Sequence, residues 1–113
     1  MAKYFIRAAD RQGSCYYEFF VGTWDKRKMH FWHNDSLCIT MFDWVDTGFE
    51  SLVADVVDKY DPCGYTPITK EQWNTVLQRA KTAGGELWVA VNEAAQWANQ
   101  NFLQHKVFTI LGM

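Results

Sequence analysis

The sequence predicts an α+β domain in which an antiparallel sheet of about four or five strands packs against about three helices. Three observations predict this fold class. Segments with a period of two occupy much of residues 1–40, and helical periodicity dominates residues 41–102. The run VFTIL at residues 107–111 is apolar on both faces, which is typical of a strand inside a sheet. The chain of 113 residues is 49% hydrophobic, so we expect a single globular domain, residues 1–113.

The N-terminal part predicts a meander of short strands. Four stretches have the alternation or the β-branched and aromatic content of strands: residues 3–9, 15–21, 29–33 and 36–41. Turn residues at 10–14 separate the first two, which are therefore expected to form a hairpin. The meander should lead directly into the first helix.

The segment from Met41 to Asp61 predicts one amphipathic helix. Thr40 is expected to cap its N-terminus, with Asp43 placed where the helix dipole favours an anion. At 100° per residue, the apolar side chains fall within an arc of roughly 140° that should face the core. These side chains are Phe42, Val45, Phe49, Leu52, Val53, Val56, Val57 and Tyr60. Trp44 lies outside the arc, so we expect it at the edge of the opposite, acidic face.

Two more helices follow a breaker at residues 61–65. Thr69 and Gln72 have the spacing of a capping box, and Gly84-Gly85 should end the helix that they begin. A third helix is expected at about residues 86–102. The residues predicted to be buried together are Phe49, Val53, Val56, Leu87, Val91 and Ile110.

Acidic charge is concentrated in one segment. Residues 41–61 carry six acids and a single cation, Lys59, although the formal net charge of the whole chain is only −2. Nucleic-acid binding is disfavoured because the chain has no extended basic field. The acids could simply form the solvated outer face of a surface helix, or they could form a surface that binds a basic partner.

The sequence encodes no cofactor or metal site that we recognise. Cys15, Cys38 and Cys63 are widely spaced, which predicts reduced thiols and neither a zinc site nor a disulfide framework. His30 and His33 would point to opposite faces of a strand, so metal binding is not expected. Lys3, Arg7 and Asp10 lie where a signal peptide would have to be apolar, and no run of 18 apolar residues occurs. We therefore expect a cytoplasmic protein without a membrane segment.

The segment KYDPCGYTPITKEQWNTVL at residues 59–77, followed by a Trp-containing helix and a terminal FTILGM, resembles a group of bacterial immunity proteins. These are the small cytoplasmic immunity proteins of contact-dependent growth inhibition and related polymorphic toxin systems. The resemblance implies a protein that binds the toxic C-terminal domain delivered by a neighbouring cell and blocks it. Many such toxins are nucleases with basic clefts. These families share no signature motif, so the resemblance assigns no functional residue.

Together, the charge pattern and the resemblance predict a protein that inhibits a basic toxin domain, is not an enzyme, and uses no direct nucleic-acid contact. The residues predicted to contact the partner are Asp43, Trp44, Asp46, Glu50, Asp55, Asp58 and Asp61. Trp44 is expected to supply the desolvated centre of the contact. One alternative is a phage-encoded mimic of nucleic acid that inhibits a host nuclease system. An alternative of another class is a small thiol enzyme that uses Cys63 with a histidine as base.

Overall fold

A computed structural model describes residues 2–28 and 31–112. The strands are β1 (Phe5–Arg7), β2 (Tyr16–Phe20), β3 (Leu37–Thr40), β4 (Tyr65–Thr69) and β5 (Val107–Leu111). The helices are α1 (Met41–Asp46), α2 (Phe49–Val56), α3 (Lys70–Ala83) and α4 (Gly85–Phe102). The predicted α+β class is confirmed.

The five strands form one antiparallel sheet in the order β1-β3-β2-β5-β4. β5 pairs with β2 on one side, where Phe19 lies opposite Ile110, and with β4 on the other. The prediction that the last strand is internal is therefore confirmed. β4 forms an edge and contains Pro67, which is compatible with an edge position because proline cannot donate a ladder hydrogen bond.

Two predictions about the sheet are wrong. β1 and β2 do not form a hairpin, because β3 lies between them and pairs with both. The predicted strand at 29–33 is also not seen: residues 31–33 are not in a strand, and residues 29 and 30 lie outside the described residues. Strand β4 was not predicted from the sequence.

All four helices contribute to the core on one face of the sheet. Phe19 lies at its centre, with its ring centroid 5.3 Å from that of Phe108 and 5.7 Å from that of Phe49. Of the six residues predicted to share the core, Phe49, Val53, Val91 and Ile110 are buried, and Val56 and Leu87 pack against them partly buried. The capping box of α3 is present as predicted: Thr69 Oγ1 accepts from Gln72 N–H, and the Gln72 side chain accepts from Thr69 N–H.

The segment at 41–61 is not one helix. Gly48 adopts a φ of 88° between α1 and α2, a conformation that glycine reaches easily and other residues avoid. The chain leaves helical geometry again at Val57. Because the break rotates α1 relative to α2, a single helical wheel drawn at 100° per residue cannot describe both helices. α2 keeps the predicted phase, with Phe49, Leu52 and Val53 buried, and α1 does not.

The other face of the sheet is covered partly by the irregular segment that joins β2 to β3. Phe20, Trp24 and Leu111 form a separate small apolar cluster there. Glu18 points to the same face and is buried, and its two carboxylate oxygens accept the backbone N–H groups of Trp32 and His33 at 2.9 and 3.0 Å. This pair of charge-assisted hydrogen bonds fixes the connecting segment on the sheet.

Within residues 2–28 and 31–112, no helix has both the length and the apolar character needed to cross a membrane.

Candidate functional site

The surface of α1 is the part of the predicted site where apolar and acidic side chains are exposed together. Thr40 Oγ1 accepts the Asp43 N–H at 3.1 Å, so the predicted N-cap is confirmed. From this fixed start, Phe42, Val45 and Asp46 point to solvent with the i, i+3, i+4 spacing of one helical face. Phe42 is 68% exposed and Val45 is 50% exposed, and both were predicted to face the core.

Trp44 takes the inward position instead. It is 0% exposed, its ring is stacked on Tyr17 with the centroids 5.2 Å apart, and its centroid lies 4.8 Å from that of Phe49. Its indole N–H donates to the Tyr60 hydroxyl at 3.0 Å. The prediction that Trp44 stands at the edge of the acids and anchors a partner is therefore wrong, because the ring is part of the core.

The structure separates the predicted acids by what they bind. The Tyr60 hydroxyl, which accepts from Trp44, donates to Glu50 Oε2 at 2.7 Å. Asp55 accepts from Arg79 Nη2 of α3 at 3.4 Å. Asp61 Oδ1 accepts the Cys63 N–H at 3.0 Å and thereby shapes the turn before β4. These three carboxylates have structural partners inside the molecule.

Three of the predicted acids have no such partner. Asp46 and Asp58 are exposed and Asp43 is partly buried. Their carboxylates make no hydrogen bond or ion pair with the residues that the structure describes. Asp43 and Asp46 belong to α1, and Asp58 follows α2. The single continuous acidic helix face that the sequence predicted is thus reduced to the acids around α1 and the loop after α2.

The exposed pair Phe42 and Val45 was missed because both residues fit the apolar arc of a longer helix. A signal was present in Gly48, because a glycine can interrupt a helix and permit a change of phase. The partners of Glu50 and Asp55 could not be read from local pattern, since Arg79 lies on another helix.

The other candidate chemistries find little support in the geometry. Cys63 is exposed and lines an apolar cavity, and neither His33 nor His105 lines that cavity. His30 lies outside the described residues. Among residues 2–28 and 31–112, no group of three or more His, Cys, Asp or Glu side chains is placed to hold a metal ion. In the basic segment Lys26–Lys28, the Arg27 guanidinium donates to Asp25, and this hydrogen bond lowers the pKa of the Asp25 carboxyl.

Comparison of the chain with protein-family models, with curated protein sequences and with solved structures found no match.

Proposed function

We propose that the protein is a cytoplasmic immunity protein that binds a basic toxin domain, such as a nuclease, through the surface of α1. The observation that carries the proposal is the exposure of Phe42 and Val45 beside Asp46 on a helix whose other side is locked into the core. Large apolar side chains on a rigid surface are the usual centres of protein contacts, and unpaired carboxylates around them select a cationic partner.

The rigidity of α1 supports this assignment. The helix is capped by Thr40, anchored by the buried Trp44 ring, and continued by a hydrogen-bonded turn in which Gly48 N–H donates to the Val45 carbonyl at 3.1 Å. A contact surface that is already ordered loses little conformational entropy when the partner binds. Phe42 and Val45 would be desolvated in the contact, whereas Asp46 and Asp43 would steer the approach of a basic cleft.

If the proposal is correct, a toxin gene lies next to the gene for this protein, and the experiment uses that gene. Its C-terminal domain is co-expressed with wild-type protein, with a Phe42→Ala/Val45→Ala variant, and with Asp46→Lys. We expect wild-type protein to restore growth and the Phe42→Ala/Val45→Ala variant to bind at least about 30-fold more weakly. Asp46→Lys should slow association and reduce the dependence of the association rate on salt.

Each variant has a matched control. Leu103→Ala removes another exposed apolar side chain, at 76% exposure, after α4. Glu71→Lys makes the same charge change as Asp46→Lys, but near the start of α3. α1 and α3 begin at opposite ends of the sheet, so this control lies far from the proposed surface. Both controls should bind like wild type. Full protection by a well-folded Phe42→Ala/Val45→Ala variant would contradict the proposed surface.

The two alternatives make different predictions. A phage-encoded mimic of nucleic acid would have phage genes on both sides of its own gene and would inhibit a host nuclease system in place of an adjacent toxin. A thiol enzyme would lose its activity when Cys63 is alkylated. An immunity protein should bind its toxin equally well after that treatment, since Cys63 lies outside α1.

A further inference from the structure

A second feature lies on the face of the sheet away from the helices. A cavity of about 350 Å³ is bounded by the segment after β2 and by the ends of β4 and β5. Its lining side chains are Trp24, Phe31, Cys63, Tyr65 and Leu111. Leu111 and Tyr65 alternate with core-facing Ile110 and Thr66, so they point to the opposite side of the sheet from the helices.

Three aromatic rings dominate this cavity. The centroids of Phe31 and Tyr65 each lie 5.2 Å from that of Trp24, with the ring planes tilted by 44° and 51° respectively. Trp24 is buried, whereas Phe31 is 41% exposed and Tyr65 is 45% exposed. The two outer rings therefore leave apolar surface open to solvent around a buried indole.

The walls of the cavity are held in place by hydrogen bonds. Phe31 directly precedes the two residues whose N–H groups are bound by the buried carboxylate of Glu18. On the other side, Gly112 N–H donates to the Gly64 carbonyl at 2.7 Å, which ties the turn before β4 to the end of β5. The cavity is thus bounded on two sides by segments with fixed backbone.

The lining indicates the charge of a ligand. None of the lining side chains within the described residues is ionic, and the Asp61 carboxylate beside Gly64 already accepts the Cys63 N–H. An anion would need cationic donors that these side chains do not supply. A cation would be stabilised only weakly over the rings, which does not offset the cost of removing its charge from water without a counter-ion. Aromatic rings prefer to pack against other rings in tilted or offset geometry, as the three here already do.

We propose that this cavity binds a small, uncharged, planar aromatic molecule of about the size of indole. Its volume is within the range of sites for small molecules, and its lining is of the apolar and aromatic type that such sites have. The larger cleft along α4, about 520 Å³, is less suited to a ligand, because the Glu93 carboxylate and the Asn101 amide on its walls are engaged with backbone groups.

The three cysteines allow a test that needs no toxin. Cys63 lines the cavity, Cys15 is exposed elsewhere, and Cys38 is buried. Alkylation by iodoacetamide is followed at each thiol by mass spectrometry, with and without indole. We expect saturating indole to slow the alkylation of Cys63 at least threefold and to leave the rate at Cys15 unchanged. An unreactive Cys38 shows that the protein stays folded.

Variants and charged probes make the test specific. Phe31→Ala and, separately, Tyr65→Ala should abolish the protection of Cys63, whereas Phe42→Ala on α1 should preserve it. Tryptamine and indole-3-acetate, which carry a charge on the same ring system, should protect at least tenfold less well than indole. Protection that survives both ring deletions, equal slowing at Cys15, no protection up to the solubility of indole, or stronger protection by a charged probe would each overturn the proposal. Melting curves identify any variant that does not fold. If either alanine variant fails to fold, Tyr65→Leu is used in its place.

Discussion

Glu18 is a buried acidic residue that is bound by backbone N–H groups and forms no ion pair with the residues that the structure describes. It is 1% exposed, and both of its carboxylate oxygens are occupied by backbone N–H groups of the segment that crosses over β2. The neighbouring strand contributes Cys38, which lies opposite Glu18 and is also buried. The alternation within the strand does not predict this burial, because the cover comes from a distant loop.

Trp44 and Phe42 should differ strongly in their contribution to stability, although both belong to α1. Trp44→Ala removes a fully buried ring and should lower the free energy of unfolding by about 3–5 kcal/mol. Phe42→Ala removes an exposed ring and should change it by no more than about 0.5 kcal/mol. Urea unfolding of the two variants measures both values. The reverse order of the two effects would mean that α1 has the phase originally predicted from the sequence.

The protein should lose stability in alkaline solution. Burial, with a smaller effect of the Glu18 charge, raises the pKa of the Cys38 thiol to about 12 from its ordinary value of 9.0. Burial also raises the pKa of Tyr17 and of Tyr60. Above about pH 9 the unfolded chain releases the Cys38 proton and the folded chain keeps it, so unfolding becomes easier as the pH rises toward 12.

For a single thiol, the slope approaches about 1.4 kcal/mol per pH unit in this window. The free energy of unfolding is measured in urea between pH 8 and pH 10.5 under reducing conditions. Cys38→Ala should be less stable than wild type at pH 8 but should show a shallower decline, with the remainder due to the tyrosines. Parallel curves for the two proteins would count against the buried thiol as a cause.

At the level of the elements, Gly48 decides how the chain passes from α1 to α2. Its φ of 88° ends one helix and begins the next, and a Cβ built on it meets nothing within 4 Å. A substitution there therefore tests backbone conformation without a steric clash.

Gly48→Ala should destabilise the protein by about 1–2 kcal/mol, which is the cost of a left-handed conformation for a residue with a Cβ. In a continuous helix the same change would stabilise it by about 0.5–1 kcal/mol. The sign of the change in the free energy of unfolding thus distinguishes two helices from one. Ser51→Ala, at an exposed position inside α2, serves as the control and should be close to neutral or slightly stabilising.

The elements that sequence predicted well are those whose signals are local. The capping box fixed the start of α3, Gly84 its end, and the apolar run at 107–111 the internal strand. Strand pairing was predicted poorly, because a turn at 10–14 does not show that β3 will insert between β1 and β2. β4 was missed because Pro67 argues against a strand unless that strand lies at an edge.

The candidate site was predicted in part for the same reason. Charge counting found the acid-rich stretch, but the partners that occupy Glu50 and Asp55 come from residues 60 and 79 and depend on the tertiary fold. The inward position of Trp44 depends on its contacts with Tyr17 of β2 and Tyr60, which a helical wheel does not include.

On the scale of the whole molecule, the sheet separates the two surfaces that we propose to bind ligands. α1 belongs to the layer of helices, and the aromatic cavity lies on the opposite face. Substitutions at Phe42 and at Phe31 should therefore act independently, because side chains without shared partners usually have additive effects.

Hydrogen exchange should reveal the order of the strands. The amides of β2 and β5, which are flanked by strands on both sides, should exchange only through global unfolding. Amides of the edge strand β1, such as Ile6, should exchange faster through local opening. The measurement is residue-resolved exchange by NMR under native conditions. Amides of Phe108 or Ile110 that exchange as fast as Ile6 would contradict the central placement of β5.

The central position of β5 also has a consequence for folding during synthesis on the ribosome. β5 is synthesised after the other four strands, yet β2 and β4 are joined only through it. Until residues 107–111 are available, both strands present unpaired edges that could pair with other nascent chains. Completion of the sheet must also bring Phe20 next to Thr109, a distant pairing of the kind that slows folding. We therefore expect the sheet to close late, with protection by chaperones most useful in the interval before β5 has been made.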